Sequence, residues 1–443
     1  MTFSDLNINK PLLNALNDLG FTVPTRIQEQ VFSVLMSGSD VVGIAQTGTG
    51  KTLAYLLPML RQWKFTGTGL PQILIIVPTR ELVVQVVDEV KKLTAYMNVV
   101  TVGVYGGVNI KTQMAQVHAG LDVLVATPGR LLDIALTGVL RLKTIKKLVI
   151  DEVDEMLNLG FRPQLNRVLE LLPPKRQNLM FSATMTDEIE LLIQDYFNHP
   201  KKIEAAPTGT PLDNIIQMGY QVPNFYTKVN FLRKLLANKE EMKKVLVFAS
   251  TKKLADRIYD QIQEDFPEQL GVIHSNKAQN NRFNTVKQFH TGQYRIVIAT
   301  DIMARGLDIS EISHVINFDI PEVAENYMHR IGRTGRADKQ GIAITFILEK
   351  DAESQVMIED LMNLKIPLNP LPEDLVISTE LLEEEKPQVI MKGDKMKLPK
   401  TEAGPAFHEK SEKNKKVNAK VRYETKMRIK YGKPKTRGPK PGR

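Results

Sequence analysis

Short runs of consecutive apolar residues recur through the first half of the chain, and longer segments with apolar residues at helical spacing separate them. Unbroken apolar runs, unlike alternating ones, are typical of parallel strands that are buried on both faces. The strands predicted in this region are Ile73–Val77, Val123–Ala126, Leu148–Ile150 and Leu179–Phe181. Strand and helix therefore alternate, which predicts an α/β domain with a doubly wound parallel sheet.

A stretch with prolines and a glycine interrupts this pattern before it starts again. We interpret residues 207–214 as a linker, because the apolar periodicity is lost there. The strands predicted after it are Val245–Phe248, Gly271–His274, Ile296–Ala299, Val315–Phe318 and Ile342–Ile347. The sequence thus predicts two tandem domains of the same class, residues 1–206 and residues 215–372.

The end of the chain differs in composition from the rest. We expect residues 373–443 to form an acidic and then basic extension that is largely disordered, because few large apolar residues remain there. Residues 387–443 hold 18 lysines and arginines against 5 acidic residues, a balance of +13, so the rest of the chain carries −4 of the net +9. This tail either solubilises the protein or binds a polyanion, and we favour the second because clustered cations release counterions from a phosphate backbone.

The overall composition narrows the classes of function. The 443 residues include no cysteine, which excludes disulfides, thiolate catalysis and cysteine zinc sites, and the 7 histidines show no HExxH spacing. No apolar run reaches the length of a membrane span, and the N-terminus has neither the basic nor the apolar part of an export signal. We therefore expect a soluble, cytoplasmic protein without a membrane partner.

The clearest chemical signal is the segment Ala45–Thr52, which lies between the apolar run Val41–Ile44 and a helical pattern. Its glycines let backbone N–H groups turn toward a phosphate, and the following helix adds the positive end of its dipole. We expect Lys51 to reach the β- and γ-phosphates and Thr52 to offer a hydroxyl ligand to Mg²⁺. The segment therefore predicts a nucleoside triphosphate site.

Two carboxylates follow a later predicted strand. Asp151 and Glu152 come directly after Leu148–Ile150, which places them at the sheet edge where ligands bind in such folds. A nucleotide site needs a carboxylate for Mg²⁺ and a group that positions the attacking water. We expect Asp151 to hold the metal and Glu152 to orient or activate the water.

An arginine-rich segment lies in the second predicted domain. His329–Arg336 contains Arg330, Arg333 and Arg336, and such a cluster alone is more often a solvated surface. A phosphate site in the first domain makes arginine fingers the better interpretation, because guanidinium groups stabilise the charge that develops on a γ-phosphate.

Across residues 3–350, the sequence resembles the DEAD-box ATP-dependent RNA helicase family, bacterial type, with its motifs in order. The matching segments are Gly20–Gln28, Ala45–Thr52, Pro78–Leu82, Gly106–Gly107, Thr127–Arg130, Asp151–Asp154, Ser182–Thr184, Val247–Ser250, Gln279 with Arg282, Asp301 with Ala304–Asp308, and His329–Arg336. The resemblance implies two RecA-like domains, ATP and Mg²⁺ as ligands, RNA as a partner, and a cleft that closes when ATP and RNA bind together.

The same resemblance implies roles for individual residues at the nucleotide. The implied nucleotide-binding residues are Phe3, Thr25, Gln28, Gln46, Thr47, Gly48, Thr49, Gly50, Lys51, Thr52, Gly306 and Asp308. The implied catalytic residues are Lys51, Asp151, Glu152, Arg305, His329, Arg333 and Arg336. Gln28 would bond the adenine edge, Phe3 would stack on the base, and Asp308 would meet the ribose. Thr52 and Asp151 would hold Mg²⁺, partly through water.

The resemblance also implies contacts with RNA and between the domains. The implied RNA-binding residues are Pro78, Thr79, Arg80, Gly106, Gly107, Thr127, Pro128, Gly129, Arg130, Gln279, Arg282 and Thr300. Asp154, Ser182 and Thr184 would couple ATP turnover to strand separation. One position departs from the family pattern, since Val153 replaces the alanine of the namesake tetrad. We interpret Val153 as a packing variant, because valine suits a buried strand end.

Two other classes of function stay open. A DNA translocase would share the nucleotide site, although Gln28 and the segment Thr127–Arg130 favour RNA by resemblance. A non-enzymatic RNA clamp could use the tail alone, but the catalytic side chains that such a protein would lose are all present. The sequence predicts an RNA helicase that remodels short duplexes and RNA–protein complexes, with ribosome-assembly or RNA-degradation partners as possibilities.

Overall fold

A computed structural model describes residues 2–45, 49–204, 214–301, 312–335 and 340–386. Residues 1–386 form one compact unit, which contains two lobes. Lobe 1 comprises the described residues up to 204, and lobe 2 comprises those from 214 to 386. Each lobe has a seven-stranded sheet in which all paired strands run parallel. The predicted doubly wound α/β class is confirmed for both lobes.

In lobe 1 the strands lie in the order β3-β4-β2-β5-β6-β1-β7. The strands are β1 Val41–Ile44, β2 Ile73–Ile76, β3 Thr101–Val104, β4 Val123–Ala126, β5 Lys147–Ile150, β6 Gln177–Ser182 and β7 Lys201–Glu204. The helices are α1 Lys10–Asp18, α2 Arg26–Met36, α3 Lys51–Gln62, α4 Arg80–Leu93, α5 Ile110–His118, α6 Pro128–Leu136, α7 Val153–Asn158, α8 Arg162–Leu171 and α9 Asp187–Tyr196.

In lobe 2 the order is β10-β11-β9-β12-β13-β8-β14. The strands are β8 Ile215–Gln221, β9 Val245–Phe248, β10 Leu270–Ile273, β11 Ile296–Ala299, β12 His314–Asn317, β13 Gly341–Ile347 and β14 Leu368–Asn369. The helices are α10 Phe225–Ala237, α11 Lys252–Ile262, α12 Gln279–His290, α13 Ala324–Ile331 and α14 Ala352–Met362. The two orders correspond position by position, so that β8 takes the place of β1 and β12 that of β5.

The buried central strands explain the unbroken apolar runs. In β2, Ile73 and Ile75 belong to one hydrophobic cluster of lobe 1, whereas Leu74 and Ile76 belong to a second cluster. Successive side chains of a strand point to opposite faces of its sheet, so both faces are covered and every position is apolar. Because all paired strands are parallel, their carboxyl ends lie at the same edge of the sheet. The predicted site residues come directly after those strand ends.

Three of the four edge strands, β3, β7 and β14, were not predicted, whereas the fourth, β10, was. In β7 only Ile203 is buried, and Lys201, Lys202 and Glu204 are exposed. The apolar pattern also missed β8, which lies between β13 and β14, because Gln217 and Gly219 interrupt its apolar run. An edge strand is half solvated, so its sequence lacks the continuous apolar run that identifies a central strand.

Residues 373–386, which we call the strap, pack on lobe 2. Leu375 is buried, Asp374 pairs with Lys234 of α10, and the backbone N–H of Ser378 donates to the Thr227 hydroxyl at 3.0 Å. The boundary predicted after residue 372 is therefore too early. The sequence pattern missed the strap because polar contacts, which leave no apolar periodicity in the sequence, attach it to lobe 2. The predicted basic tail, residues 387–443, lies outside the described residues.

Among the residues that the structure describes, no helix is both long and apolar enough to cross a membrane.

Candidate nucleotide and RNA site

The phosphate-loop segment is closed on its C-terminal side by Gly50, the N-cap of α3. Gly50 has φ 86°, a left-handed conformation that glycine adopts without strain. A Cβ at this position would lie 2.4 Å from Nε2 of Gln28, so a larger residue would also have to displace the Gln28 side chain. The loop thus delivers the first helical residue, Lys51, directly to the carboxyl edge of the sheet.

Lys51 carries a buried ammonium group. Its Nζ has no hydrogen-bond partner among the described residues, although the side chain is 7% exposed. A buried cation without an acceptor is costly, and it lies at a helix N-terminus, where anions are stabilised. The residue therefore fits the anionic phosphates of a nucleotide, and Thr52 follows it on the same helix.

The Gly20–Gln28 segment holds the phosphate loop in place. The Thr25 hydroxyl donates to the carbonyl of Thr49 at 3.1 Å, and Gln28 Nε2 donates to the carbonyl of Gly50 at 3.2 Å. Gln28 Oε1 also accepts the N–H of Thr25 at 2.9 Å, which caps α2. Gln28 thus ties α2 to the loop, a role that the sequence did not predict; its contact with adenine stays a prediction.

Phe3 is 3% exposed and belongs to a hydrophobic cluster of lobe 1. Its backbone N–H donates to the carbonyl of Thr22 at 3.4 Å, which brings the chain start to the Gly20–Gln28 segment. A base can reach only the small exposed part of this ring, so the expected stacking stays a prediction.

Asp151 and Glu152 follow β5 at the carboxyl edge, as predicted. Glu152 has φ 54°, a left-handed conformation that is energetically costly for a glutamate and that the surrounding structure must maintain. Burial raises the pKa of both carboxyls, and the positive charge of Lys51 opposes the rise. Arg333 of lobe 2 also lowers the pKa of Glu152, so a cation from the other lobe acts on this carboxylate.

Asp154 connects three of the predicted segments. Its Oδ2 accepts the N–H groups of Ala183 at 3.0 Å and Thr184 at 3.2 Å, and lies 3.9 Å from Nε2 of His329. Burial alone would raise the pKa of Asp154, but His329, Lys51 and the backbone N–H donors outweigh it and hold the pKa below its ordinary value. Ser182, whose hydroxyl accepts the N–H of Thr184 at 3.3 Å, completes the group.

Val153 is fully buried in the second hydrophobic cluster of lobe 1. It is the first residue of α7, so the expectation that it lies at the end of a strand is wrong. The packing role that we expected of this position agrees with that burial.

Arg330 is a structural residue that sequence reasoning did not single out. It is 1% exposed and forms a bidentate ion pair with Asp301, with Nε–Oδ1 at 2.5 Å and NH2–Oδ2 at 2.8 Å. Its NH1 donates to the carbonyl of Asp319 at 2.6 Å. The pair fixes α13, which carries His329, to the end of β11; Arg333 follows α13, and its Nε donates to the His329 carbonyl at 3.3 Å.

A second group of contacts joins the lobes away from the nucleotide residues. Arg80 NH1 donates to Oε1 of Gln279 at 3.1 Å, and Gln279 Nε2 donates to Oε1 of Glu81 at 3.0 Å. Arg282 forms a buried ion pair with Glu81 and donates to Gln279 Oε1 at 2.9 Å. We call these four residues the interlobe cluster. Sequence reasoning named three of them but missed Glu81, which lies beside Arg80.

Three other predicted RNA-contact residues of lobe 1, Gly107, Arg130 and Thr79, have contacts within the lobe. Gly107 has φ 80°, and a Cβ there would lie 2.0 Å from NH1 of Arg80, so the guanidinium packs directly on the glycine backbone. Arg130 donates to Gln113 Oε1 at 2.6 Å and to the carbonyl of Val108 at 3.1 Å. Thr79 uses its hydroxyl to cap α4 at the N–H of Leu82.

The other predicted residues divide into those described and those that are not. Pro78, Gly106, Thr127, Pro128, Gly129 and Thr300 lie in described segments at the ends of strands or starts of helices. Gln46, Thr47, Gly48, Arg305, Gly306, Asp308, Arg336 and linker residues 207–213 lie outside the described residues.

The fold and these side chains together define a class of protein. The parts of a two-lobed nucleotide hydrolase are all present. They are a phosphate loop after β1, two acidic residues after β5, which is separated from β1 by β6 alone, and basic residues supplied by a second lobe of the same topology.

Sequence comparisons identify the family. The family model described as DEAD/DEAH box helicase matches residues 25–192, and the model described as Helicase conserved C-terminal domain matches residues 227–338. The ATP-dependent RNA helicase RhlB of Pseudomonas syringae pv. tomato is 38% identical over 383 residues, 84% of this chain and 96% of the relative. The chain therefore belongs to the DEAD/DEAH box helicase family and is an ATP-hydrolysing RNA helicase.

Two further comparisons bear on length and on fold. The DEAD-box ATP-dependent RNA helicase 30 of Arabidopsis thaliana is 38% identical over 79% of this chain, which spans only 60% of that relative's length. The structure of S. cerevisiae Dbp5 bound to RNA and ADP BeF3 superposes with a TM-score of 0.76 at 28% identity, covering 84% of this chain and 96% of that one. The fold is thus that of tandem RecA-like lobes, with a nucleotide and RNA as partners.

Proposed function

We propose that this protein hydrolyses ATP on a surface shared by both lobes and uses the resulting closure to separate short RNA duplexes. One observation carries the proposal: of the lobe 1 carboxylates that Lys51 also acts on, Glu152 is within electrostatic reach of Arg333 of lobe 2, and Asp154 is within reach of His329 of lobe 2. Because no single lobe holds all of these groups, turnover depends on the lobes being together.

In this proposal the residues of the site have separate roles in binding and hydrolysis. Lys51 and the phosphate loop bind the β- and γ-phosphates, and Arg333, with Arg336, neutralises charge on the γ-phosphate. Glu152 accepts a proton from the water whose oxygen attacks the γ-phosphorus, while the bond to the ADP oxygen breaks. Thr52 and Asp151 hold Mg²⁺, which supplies additional neutralisation of phosphate charge when bound. Arg305 and His329 help to place the water, and Asp308 meets the ribose.

RNA is gripped mainly through its phosphates, without base readout. The loops that carry Arg80, Gly107 and Arg130 lie together in lobe 1, and Arg80 contacts Gln279 of lobe 2 at 3.1 Å. A strand held by both lobes cannot keep the straight path of a duplex, so its partner strand is released. Ribosome-assembly or RNA-degradation complexes and a cytoplasmic location are part of this proposal, on the strength of the RNA substrate and the family resemblance.

The decisive experiment measures ATP turnover with and without RNA at saturating ATP. We expect strong stimulation by RNA, and an RNA duplex with a single-stranded overhang should be unwound, whereas a DNA duplex with the same sequence should not. Glu152→Gln should lower turnover by about a hundredfold or more while ATP still binds, because a positioned proton acceptor is lost. Equal turnover with and without RNA, or full activity of Glu152→Gln, would contradict the mechanism.

A further inference from the structure

Lobe 1 contains a cavity at the edge of its sheet opposite the nucleotide residues. The cavity has a volume of about 360 Å³ and lies where β2 and β5 begin and α3 ends. Its lining residues are Met59, Gln62, Trp63, Lys64, Gln72, Ile73, Lys146 and Lys147. Lys147 begins β5 and Asp151 follows its last residue, so the two sites are about 13 Å apart along the strand. No residue of the proposed mechanism contributes to it.

The charges that line this cavity all have one sign. Three lysines contribute, and none of the described lining residues is acidic. Lys147 Nζ donates to Oε1 of Gln62 at 2.6 Å and of Gln177 at 3.0 Å, and Lys146 Nζ donates to Oε1 of Gln72 at 3.3 Å. Neutral amide oxygens orient these ammonium groups without cancelling their charge, so positive potential remains for a ligand.

Lys147 is the lysine of this cavity whose pKa burial changes clearly. Desolvation lowers the pKa of Lys147 to about 8, and no carboxylate offsets that effect. The amide nitrogens of Gln62 and Gln177 both donate to the carbonyl of Leu35, at 3.1 Å each, so the amide oxygens stay pointed at the lysine. The lysine is therefore held in place by a network that ends on the backbone of α2.

Trp63 lines the cavity with its aromatic ring and with an unpaired hydrogen-bond donor. Its buried Nε1–H has no hydrogen-bond partner among the described residues, and buried donors are normally paired. Met59 and Ile73 give the cavity an apolar part. A cavity of this size with an apolar side and a few convergent polar groups is the usual form of a small-molecule site.

We propose that this cavity is a second ligand site, outside the nucleotide and RNA sites, for a small phosphate-bearing molecule with a planar ring. Lysine ammonium groups act as compact point charges, and lysine is a common ligand of phosphate groups in proteins. The planar group packs between Trp63 and the aliphatic side chains. The proposal does not depend on the proposed function.

The chain offers its own reporter for this site, because Trp63 is the single tryptophan. The full-length protein is titrated with uridine monophosphate, and separately with inorganic phosphate, while tryptophan emission is recorded. We expect a saturable change with the nucleoside phosphate and weaker binding of inorganic phosphate, which lacks the planar group. The same titration of the Lys51→Ala variant should give the same emission change. That result would show that the signal does not come from occupation of the ATP site.

Three substitutions separate binding at this cavity from general charge effects. Lys146→Gln and Lys147→Gln should each weaken the affinity for uridine monophosphate by about tenfold or more, because each removes a charge-assisted hydrogen bond. Lys92→Gln, an exposed lysine on α4, is the matched control and should leave the affinity unchanged. Circular dichroism and the unfolding midpoint establish that each variant is folded, and Lys146, which is exposed, serves if Lys147→Gln does not fold.

Several outcomes would overturn the proposal. These are an emission that does not saturate, affinities of the two cavity variants equal to that of Lys92→Gln, or a signal lost in Lys51→Ala. Tighter binding of citrate than of the phosphate ligands would also overturn it, because the site would then select carboxylates.

Discussion

The two lobes have the same strand order but differ at the carboxyl edge of the sheet, where a lysine ammonium group has an acceptor in only one of them among the described residues. In lobe 1 the helix that follows β1 begins at Lys51, whose ammonium has no partner among the described residues. In lobe 2 the helix that follows the equivalent strand, β8, contains Lys228, whose ammonium donates to the carbonyl of Phe318 at 2.9 Å. One lobe leaves its cation for a ligand, and the other supplies an acceptor from its own backbone.

The helix N-termini differ in the same way. The first N–H of α10, at Phe225, donates to Oε1 of Glu385 at 2.8 Å, and Glu384 of the strap pairs with Arg257 at 3.1 Å. The strap thus places a carboxylate where a phosphate would lie if lobe 2 bound a nucleotide as lobe 1 does. Topology alone does not make a nucleotide site. The donors must also be left unpaired, and lobe 2 instead contributes His329 and Arg333 to the other lobe.

The strongest test of this comparison removes one lysine from each lobe. Lys51→Ala should lower RNA-stimulated ATP turnover by about a hundredfold or more, because it removes the cation that stabilises phosphate charge. Lys228→Met, the matched change in lobe 2, should leave turnover per folded molecule near that of the wild type. Turnover is measured at saturating RNA over a range of ATP concentrations. A comparable loss in both variants would mean that the lobes are not divided as we describe.

The second test uses the pKa of Lys228, which burial lowers from 10.5 to about 8. Between these pH values the unfolded chain holds a proton on Lys228 that the folded chain lacks, so the free energy of unfolding rises with pH. Relative to Lys228→Met, the wild type should gain up to about 3 kcal/mol from pH 8 to pH 10.5. Urea denaturation of both proteins measures the difference. A difference that is constant with pH would contradict the buried, solvent-excluded state of this ammonium.

The central strands, and the positions of Lys51, Asp151 and Glu152 at the carboxyl edge, could be predicted from the sequence because their signals are local. The run Leu148–Ile150 and the acids that follow it adjoin along the chain, and so do the loop Ala45–Thr52 and its helix. Such segments carry both their secondary structure and their chemistry in a few consecutive residues. Edge strands such as β7, with one buried residue, carry neither signal.

Contacts between distant residues could not be predicted in the same way. Glu81 and Arg282 are 201 positions apart, and nothing in either segment specifies the other. Arg330 lies in the predicted arginine cluster, yet only the fold shows that it faces Asp301 while Arg333 acts on Glu152. The strap was missed for a related reason, because polar contacts rather than apolar periodicity attach it to lobe 2.

The third test disrupts the interlobe cluster, to which each lobe contributes two side chains. Glu81→Gln should raise the RNA concentration for half-maximal ATP turnover by about tenfold, because the closed arrangement then leaves Arg282 buried without its carboxylate. Maximal turnover should change less, since no group at the phosphates is altered. Adding Arg282→Gln to Glu81→Gln should restore part of the loss. Additive effects in this double-mutant cycle would show that the two side chains do not act together.

The smallest expected effect concerns the basic tail that follows the strap. Residues 387–443 carry a balance of +13, whereas the preceding residues carry −4 of the net +9. A cationic segment attracts phosphate without reading sequence, so a chain ended at Lys386 should bind RNA more weakly at low salt. The truncation keeps the strap, so both lobes stay intact and maximal turnover at saturating RNA should change little.

Salt titration separates an RNA-binding tail from a solubilising one. Each phosphate that the tail neutralises adds up to about 0.9 to the slope of log affinity against log salt, and about 0.7 on a single strand. The truncated chain should therefore show a shallower slope than the full chain on one short RNA duplex with a single-stranded overhang. Identical slopes would assign the tail to solubility and leave RNA binding to the two lobes alone. A shallower slope would make the tail a third RNA-binding element, one that depends on charge and not on geometry.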